Sequence, residues 1–250
     1  MVSTQIKSHR RRNINVIARN TPADFPAVLH WLDVDNGLID SGDEFPADGD
    51  EIKEWVNRVG TQNPVQSSSS RYPTYDIDAF GAGYPGIRFT TDRSSSNYEA
   101  LDVMISPTVA VPYTQFIVVK LDDVGADTMA ITGDWGEGVI RYQVTNNKWL
   151  ITSGSNLSSS SIATANATLL TVTINGGSDS TIAINGVVDV TGNGGATDFD
   201  RLVLGWEPQY NNSFLDGWLG DFVVARNILA RDRDKIEDYL GDKFGITITH

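Results

Sequence analysis

Phe214-Leu215-Asp216-Gly217-Trp218-Leu219-Gly220-Asp221-Phe222-Val223-Val224-Ala225-Arg226-Asn227, running on through Ile228-Leu229 into Ala230 to Lys243, decides the fold. The first part reads as a strand, Gly217 to Ala225, opened by an Asp-Gly turn. The second part changes period. Ile236, Tyr239 and Leu240 fall at i, i+3 and i+4 and make one apolar stripe, the mark of an amphipathic helix. Asp232 and Asp234 stand near its start and Lys243 near its end, each on the side that the helix dipole favours. Gly245 is placed to end it. The stripe of Ile236, Tyr239, Leu240 and Phe244 is expected to pack on the body of the protein.

Upstream of this pair, alternation of apolar and polar residues dominates. Strands are predicted at Val28–Leu32, Gly86–Phe89, Tyr98–Ile105, Thr114–Leu121, Thr128–Thr132, Gly138–Thr145 and Lys148–Ser153. More follow at Thr168–Asn175, Ser180–Asn185, Val187–Thr191 and Asp200–Gly205, with a short one around Glu54-Trp55-Val56. Asp33 to Glu54, Gln62 to Arg71 and the serine-rich Ser153 to Ser161 read as loop. Ile184-Asn185-Gly186-Val187 sets Asn-Gly between β-branched residues, a strong hairpin signal, and Thr145-Asn146-Asn147-Lys148 is a weaker one. Short strands at regular spacing with such turns indicate a sandwich or barrel. The fold class is therefore all-β: a two-sheet antiparallel sandwich with one C-terminal helix, 230–243.

Bulk composition agrees. The chain has 250 residues, 40% hydrophobic and 20% charged, enough for a real core. No run approaches the roughly 18 apolar residues of a membrane span. No apolar segment follows the basic cluster near the start, so no secretory leader is expected. The absence of cysteine removes disulfides and cysteine-held metals. Residues 1–20 hold Lys7, Arg10, Arg11, Arg12 and Arg19 and no acid, a charge of +5. The other 230 residues carry 14 basic against 32 acidic groups, a charge of −18. Such a body repels nucleic acid and anionic membrane, and neither is expected as a partner. The basic arm, 1–25, reads either as a solvated terminus or as a strap that docks on an acidic partner. Residues 26–250 form the sandwich domain.

The closing segment, with its Tyr239-Leu240…Lys243-Phe244-Gly245-Ile246 end, resembles the ending of concanavalin A-like, laminin G-like jelly-roll modules of bacterial surface proteins and bacteriophage virion proteins. The front end is similar to them as well: Trp31-Leu32-Asp33, Trp55-Val56-Asn57-Arg58-Val59-Gly60, Tyr72-Pro73-Thr74-Tyr75, Gly86-Ile87-Arg88-Phe89 and Phe116-Ile117-Val118-Val119-Lys120 stand in the modules' order. The resemblance covers Leu29 to Ile246. It implies a jelly-roll sandwich, and it says less about function, because the fold hosts lectins, glucanases, adhesins and structural modules.

Catalytic groups are sparse. Glucanases of the superfamily set carboxylates in a Glu-x-Asp-x-x-Glu run, which points both acids into one cleft. The motif is missing. Asp134 and Glu137 flank Trp135 and Gly136 but are three apart and would face opposite sides of a strand, and Glu51 and Glu54 share that spacing. His30 sits beside Trp31 in a strand and reads as structural, while His9 and His250 lie near the termini. The chain is thus expected to bind or build and not to be an enzyme.

Binding candidates are clearer. No cofactor is required, but calcium is the metal candidate, with Asp33, Asp35 and Asp40 in the acidic loop; the plain alternative is a solvated loop. Trp206, Tyr210, Asn211 and Asn212, near Asp216, offer an aromatic platform with amides for a sugar, and Trp135 and Trp149 are further platforms. Trp31, Trp55 and Trp218 read as core. The leading functional expectation is a virion structural protein of a tailed bacteriophage, decorating the capsid or joined to the tail. It would be made in the host cytoplasm, would dock on other virion proteins through the arm, and would form homo-oligomeric or lattice contacts. The alternative is a carbohydrate-binding lectin or adhesin module recognising a host glycan. A glycoside hydrolase comes last.

Overall fold

The computed structural model describes residues 20–90, 99–125, 128–133, 138–208 and 213–250. Its elements run β1 (Val28–Leu32), β2 (Leu38–Asp40), β3 (Ile52–Trp55), β4 (Thr74–Asp76), β5 (Gly86–Phe89), β6 (Leu101–Val109), β7 (Tyr113–Leu121), β8 (Met129–Gly133), β9 (Val139–Gln143), β10 (Lys148–Thr152), β11 (Asn156–Ser158), β12 (Thr168–Ile174), β13 (Ser180–Ile184), β14 (Val187–Gly192), β15 (Phe199–Leu204), β16 (Gly217–Arg226) and α1 (Ala230–Phe244). The strands form two antiparallel sheets and a small β2–β3 ribbon. One sheet has the order β14-β13-β12-β7-β16-β5-β4 with β1 also on β16, and the other β11-β10-β9-β8-β15-β6. The all-β sandwich with a closing helix is the observed fold.

β16 is the keel of the larger sheet. One edge pairs with β7 along its whole length. The other edge is shared: its first residues pair with β5 and its last with β1. Gly220 and Asp221 fall where the register against β7 shifts. β7 reads Phe116-Ile117-Val118-Val119 without alternation, and those four are fully buried. The reason is that one face of the strand meets the sandwich core while α1 lies against the other side, on β7 and β12.

The helix buries the predicted stripe. Ile236, Leu240 and Phe244 are buried, and Tyr239 is half-buried with its ring edge-on to Trp31 at 6.0 Å. Gly220 permits this close approach: a Cβ there would meet the Phe244 ring at 2.7 Å. Gly245 ends the helix in the left-handed region at φ 68°, and the amide of Ile246 returns to the carbonyl of Gly241. The Asn185-Gly186 hairpin also forms, with both residues at positive φ, 52° and 88°.

Two readings are corrected. The acidic stretch 33–54 is not all loop, since it carries β2 and the start of β3. The serine-rich stretch 153–161 carries β11. β2, β11 and β4, which was likewise not predicted, are each three residues long, too short to show alternation. Trp218, expected in the core, is only half-buried: the Arg88 guanidinium lies 4.2 Å and the Lys120 ammonium 4.5 Å from its ring centre. Its indole N–H donates to Asp76.

Candidate functional site

The acidic loop between β2 and β3 folds on its own carboxylates. Asp40 Oδ1 accepts the backbone N–H groups of Gly42 and Glu44 at 2.7 and 2.9 Å, and Asp50 Oδ2 accepts that of Ala47 at 2.7 Å. Gly49 and Tyr75 then lock the loop to β4: Gly49 N–H donates to the Tyr75 carbonyl at 2.8 Å and Tyr75 N–H to that of Asp50 at 2.9 Å. Side chains that could satisfy turns locally do so here, which is why an acid-rich segment takes one shape.

That shape lifts Phe45 above β4. Phe45 is 51% exposed, yet its ring stands edge-on to buried Tyr75 at 5.8 Å and 74°. Beneath it opens a cleft of about 760 Å³, within the range of small-ligand sites. Ile77 and Pro85 add apolar wall, while Asp35, Asn36 and Asp48 add polar groups. Burial, helped by the charges of Asp35 and Asp48, pushes the Tyr75 phenol up to about 12. It therefore keeps its proton and can donate a hydrogen bond. An aromatic face, a protonated phenol, an amide and carboxylates around one cleft can hold a polyol: the ring takes the apolar face of a sugar and the polar groups take its hydroxyls.

The cleft backs onto a buried ionic cluster. Lys243 Nζ lies 2.6 Å from Asp33, 3.1 Å from Asp35 and 2.7 Å from Asp221. Asp221 also accepts the Trp31 indole N–H and the Val34 amide, each at 3.0 Å. Burial pushes Asp221 up to about 6. Burial opposes the charge of Lys243, but the three carboxylates together hold its pKa above the usual lysine value. Burial likewise opposes ionisation of Asp33, yet Lys243 brings it below the usual carboxylate value. Asp33 and Asp35 thus gather around a lysine, whereas Asp40 closes its own turn; the three do not converge on one point.

The other expected site residues scatter. Trp206 is half-buried and bridges Phe214, and the neighbouring Glu207 is buried 3.3 Å from Arg141. Asp216 binds Arg88 at 2.8 Å. Trp149 is buried against Tyr142. Trp135, Tyr210, Asn211, Asn212, Asp134 and Glu137 lie outside the described residues, as do Lys7, Arg10, Arg11, Arg12 and Arg19 of the arm. His30 is a strand histidine, as expected. Its Nδ1 meets the Asn57 side-chain amide at 2.7 Å, and burial drops its pKa to about 4. Phe45 escaped sequence reading because a lone aromatic in a Gly- and Asp-rich loop carries no periodic signal, while Asp48 reads there only as one more acid of a crowded loop.

No family model matches the chain, and no curated protein matches its sequence. Solved structures do match its fold. Domain 4 of an extracellular GH43 arabinanase from Geobacillus stearothermophilus, solved with arabinotriose, superposes with a TM-score of 0.52 at 14% identity, over 84% of this chain and 97% of that one. A Trypanosoma rangeli sialidase solved with the inhibitor DANA gives 0.52 at 12% identity, over 84% of this chain but only 32% of the sialidase. The same sialidase with sialic acid gives 0.50 at 11% identity, over 86% of this chain and 33% of that one. These are likenesses of fold. They correct the expectation that the chain stands outside the enzymes, because a sandwich of this fold occurs as domain 4 of an arabinanase and within a sialidase. They give no support to the virion role.

Proposed function

We propose that the chain is a carbohydrate-binding β-sandwich module and that it takes its glycan in the Phe45–Tyr75 cleft. The observation that carries this is the exposed Phe45 ring, held edge-on to Tyr75 above a cleft of about 760 Å³ that also presents Asp35, Asn36 and Asp48. An apolar ring left exposed on a well-fastened loop wants a partner with an apolar face. The fold's appearance in arabinanase and sialidase structures supports the choice of a sugar as that partner. The acidic lining favours neutral glycans over sialylated or uronic ones.

The test is a glycan array followed by calorimetry on the hits, with Phe45→Ala, Asp48→Ala and Trp206→Ala compared with the parent, and with hydrolysis of each bound glycan assayed alongside. The cleft predicts that Phe45→Ala weakens binding by roughly tenfold or more, as one lost stacking contact allows, while Trp206→Ala leaves it unchanged. Binding that survives Phe45→Ala but fails with Trp206→Ala would move the site to the loop before β16. An array without hits would sink the reading.

A further inference from the structure

The final residues after α1 bring a histidine onto the helix. The amide of Thr249 donates to the Asn185 carbonyl at 3.0 Å, and Gly186 packs so tightly that a Cβ there would meet the Thr249 carbonyl oxygen at 2.4 Å. This fastens the tail across the β13–β14 hairpin and sets His250 over the second turn of α1. Its Nδ1 lies 3.7 Å from Asp234 Oδ1 and 3.4 Å from Glu237 Oε2. Asp234 and Glu237 are i and i+3 on the helix and share a face. One ligand atom from each of the three residues lies within 4.8 Å of the others.

Two observations set this cluster apart from an ordinary surface group of acids. Glu237 is fully buried, and the neutral Thr171 side chain beside it is a hydrogen-bonding neighbour that brings no charge to balance the carboxylate. A buried carboxylate left so is costly unless a cation completes it. Arg233 comes no closer than 3.8 Å to Glu237 and makes its hydrogen bonds to Asp234 instead. The second observation is the histidine's other nitrogen. His250 Nε2 lies 3.1 Å from Asp238 Oδ1. A carboxylate there can accept the Nε2 proton, and in that tautomer the Nδ1 lone pair faces Asp234 and Glu237. Metal-ligating histidines are oriented by a carboxylate in this way.

We propose that Asp234, Glu237 and His250 Nδ1 form a zinc site, with Asp238 as the positioning residue for the imidazole. The two histidine–carboxylate separations fit. Zinc–ligand bonds of about 2.1 Å place tetrahedral ligands roughly 3.4 Å apart, close to the two histidine–carboxylate separations. One imidazole and two carboxylates suit zinc, whereas calcium asks for six to eight oxygens. Three protein ligands leave a fourth position on the solvent side, where His250 is exposed. Arg233 must give up its hold on Asp234 when the ion enters. The site would pin the chain after α1 to the helix and is independent of the glycan cleft.

The experiment uses the full chain without a histidine tag, stripped with chelator and titrated with Zn²⁺ by calorimetry and with Co²⁺ by visible absorption. One ion per chain is expected, with a tetrahedral Co²⁺ spectrum. His250→Ala, at an exposed position that leaves the sandwich intact, should weaken binding by at least roughly 100-fold. Asp238→Asn should weaken it roughly 10- to 100-fold, as loss of an outer carboxylate does. Asp43→Asn, in the distant acidic loop, should not change it. Failure to bind Zn²⁺ saturably below roughly 100 μM, on an affinity scale where ~8 kcal/mol corresponds to micromolar, overturns the site. So does His250→Ala binding within twofold of the parent.

Discussion

Lys243, on the last turn of α1, donates to both carboxylate oxygens of Asp221, at 2.7 and 2.9 Å, at the point where β16 slips register against β7. The pair ties the only long helix of the described residues to the central strand of the larger sheet. Asp33, just beyond β1, takes the same ammonium. Strand, keel and helix therefore meet at one buried charge.

Removing that charge should be expensive. Lys243→Met leaves buried Asp221 and Asp33 facing each other without a cation, and breaking a buried pair from one side typically costs about 3–5 kcal/mol. Asp221→Asn gives up one acceptor, for either the Trp31 indole or the Val34 amide, but leaves Lys243 with Asp33 and Asp35, so its loss should be smaller. Urea unfolding of the two variants would show the order; equal losses would mean that the cluster acts through packing and not through charge.

The pH dependence of stability should carry the signature of His30. Asn57 Oδ1 accepts three backbone N–H groups, from Trp31, Val59 and Gly60, so its amide nitrogen must be the donor to His30 Nδ1. The imidazole is therefore neutral, with a folded pKa of about 4 against 6.5 unfolded. A depressed pKa gives stability that is complete above pH 6.5 and is lost as pH falls toward 4, up to about 3 kcal/mol. Burial raises Asp221, Glu207 and Glu237, which works in the opposite direction on acidification. The comparison must therefore be made against His30→Gln. Thermal melts at pH 7.5, 6 and 5 should show the parent losing its advantage over the variant as the pH drops, and a constant gap would refute the assignment.

The apolar face of α1 should behave as core. Ile236 and Leu240 are fully buried between helix and sheet, so Leu240→Ala should cost about 2–5 kcal/mol. Leu229, at the helix entry, is 58% exposed, and its replacement by Ala should fall within about 0.5 kcal/mol of neutral. Chemical denaturation measures both. A cheap Leu240→Ala would mean that the helix detaches from the sheet without unfolding it.

What the sequence made legible follows from which signals are local. Val223-Val224-Ala225, the Asn185-Gly186 turn and the Ile236/Tyr239/Leu240 stripe announce their elements through period and backbone chemistry alone. Trp31-Leu32-Asp33 and Lys243-Phe244-Gly245 could be marked as family-like pieces, but their meeting through Asp221 spans distant parts of the chain and has no local trace. Leu38–Asp40 and Asn156–Ser158 are too short for alternation to show. The cleft was illegible for the same reason as the ionic cluster, since Phe45, Tyr75 and Asp35 come from three segments. His250 follows the helix in a short segment that carries no periodic signal, and the fixed position it takes comes from the hairpin at Asn185-Gly186.

The charge of the cleft should decide which glycans it accepts. Asp35 and Asp48 line it, Tyr75 stays protonated, and Phe45 supplies an uncharged ring. A neutral oligosaccharide gains stacking and hydroxyl contacts without repulsion, and its affinity should hold nearly constant between roughly 50 and 500 mM salt, since no net charge is brought together. A sialylated or uronic counterpart places a carboxylate beside those acids and should bind more weakly at low salt, recovering in part as screening shortens the reach of the repulsion. Calorimetry with a matched neutral and acidic pair across that salt range separates the cases. Stronger binding of the acidic glycan at low salt would show that a basic surface, and not this cleft, receives the sugar.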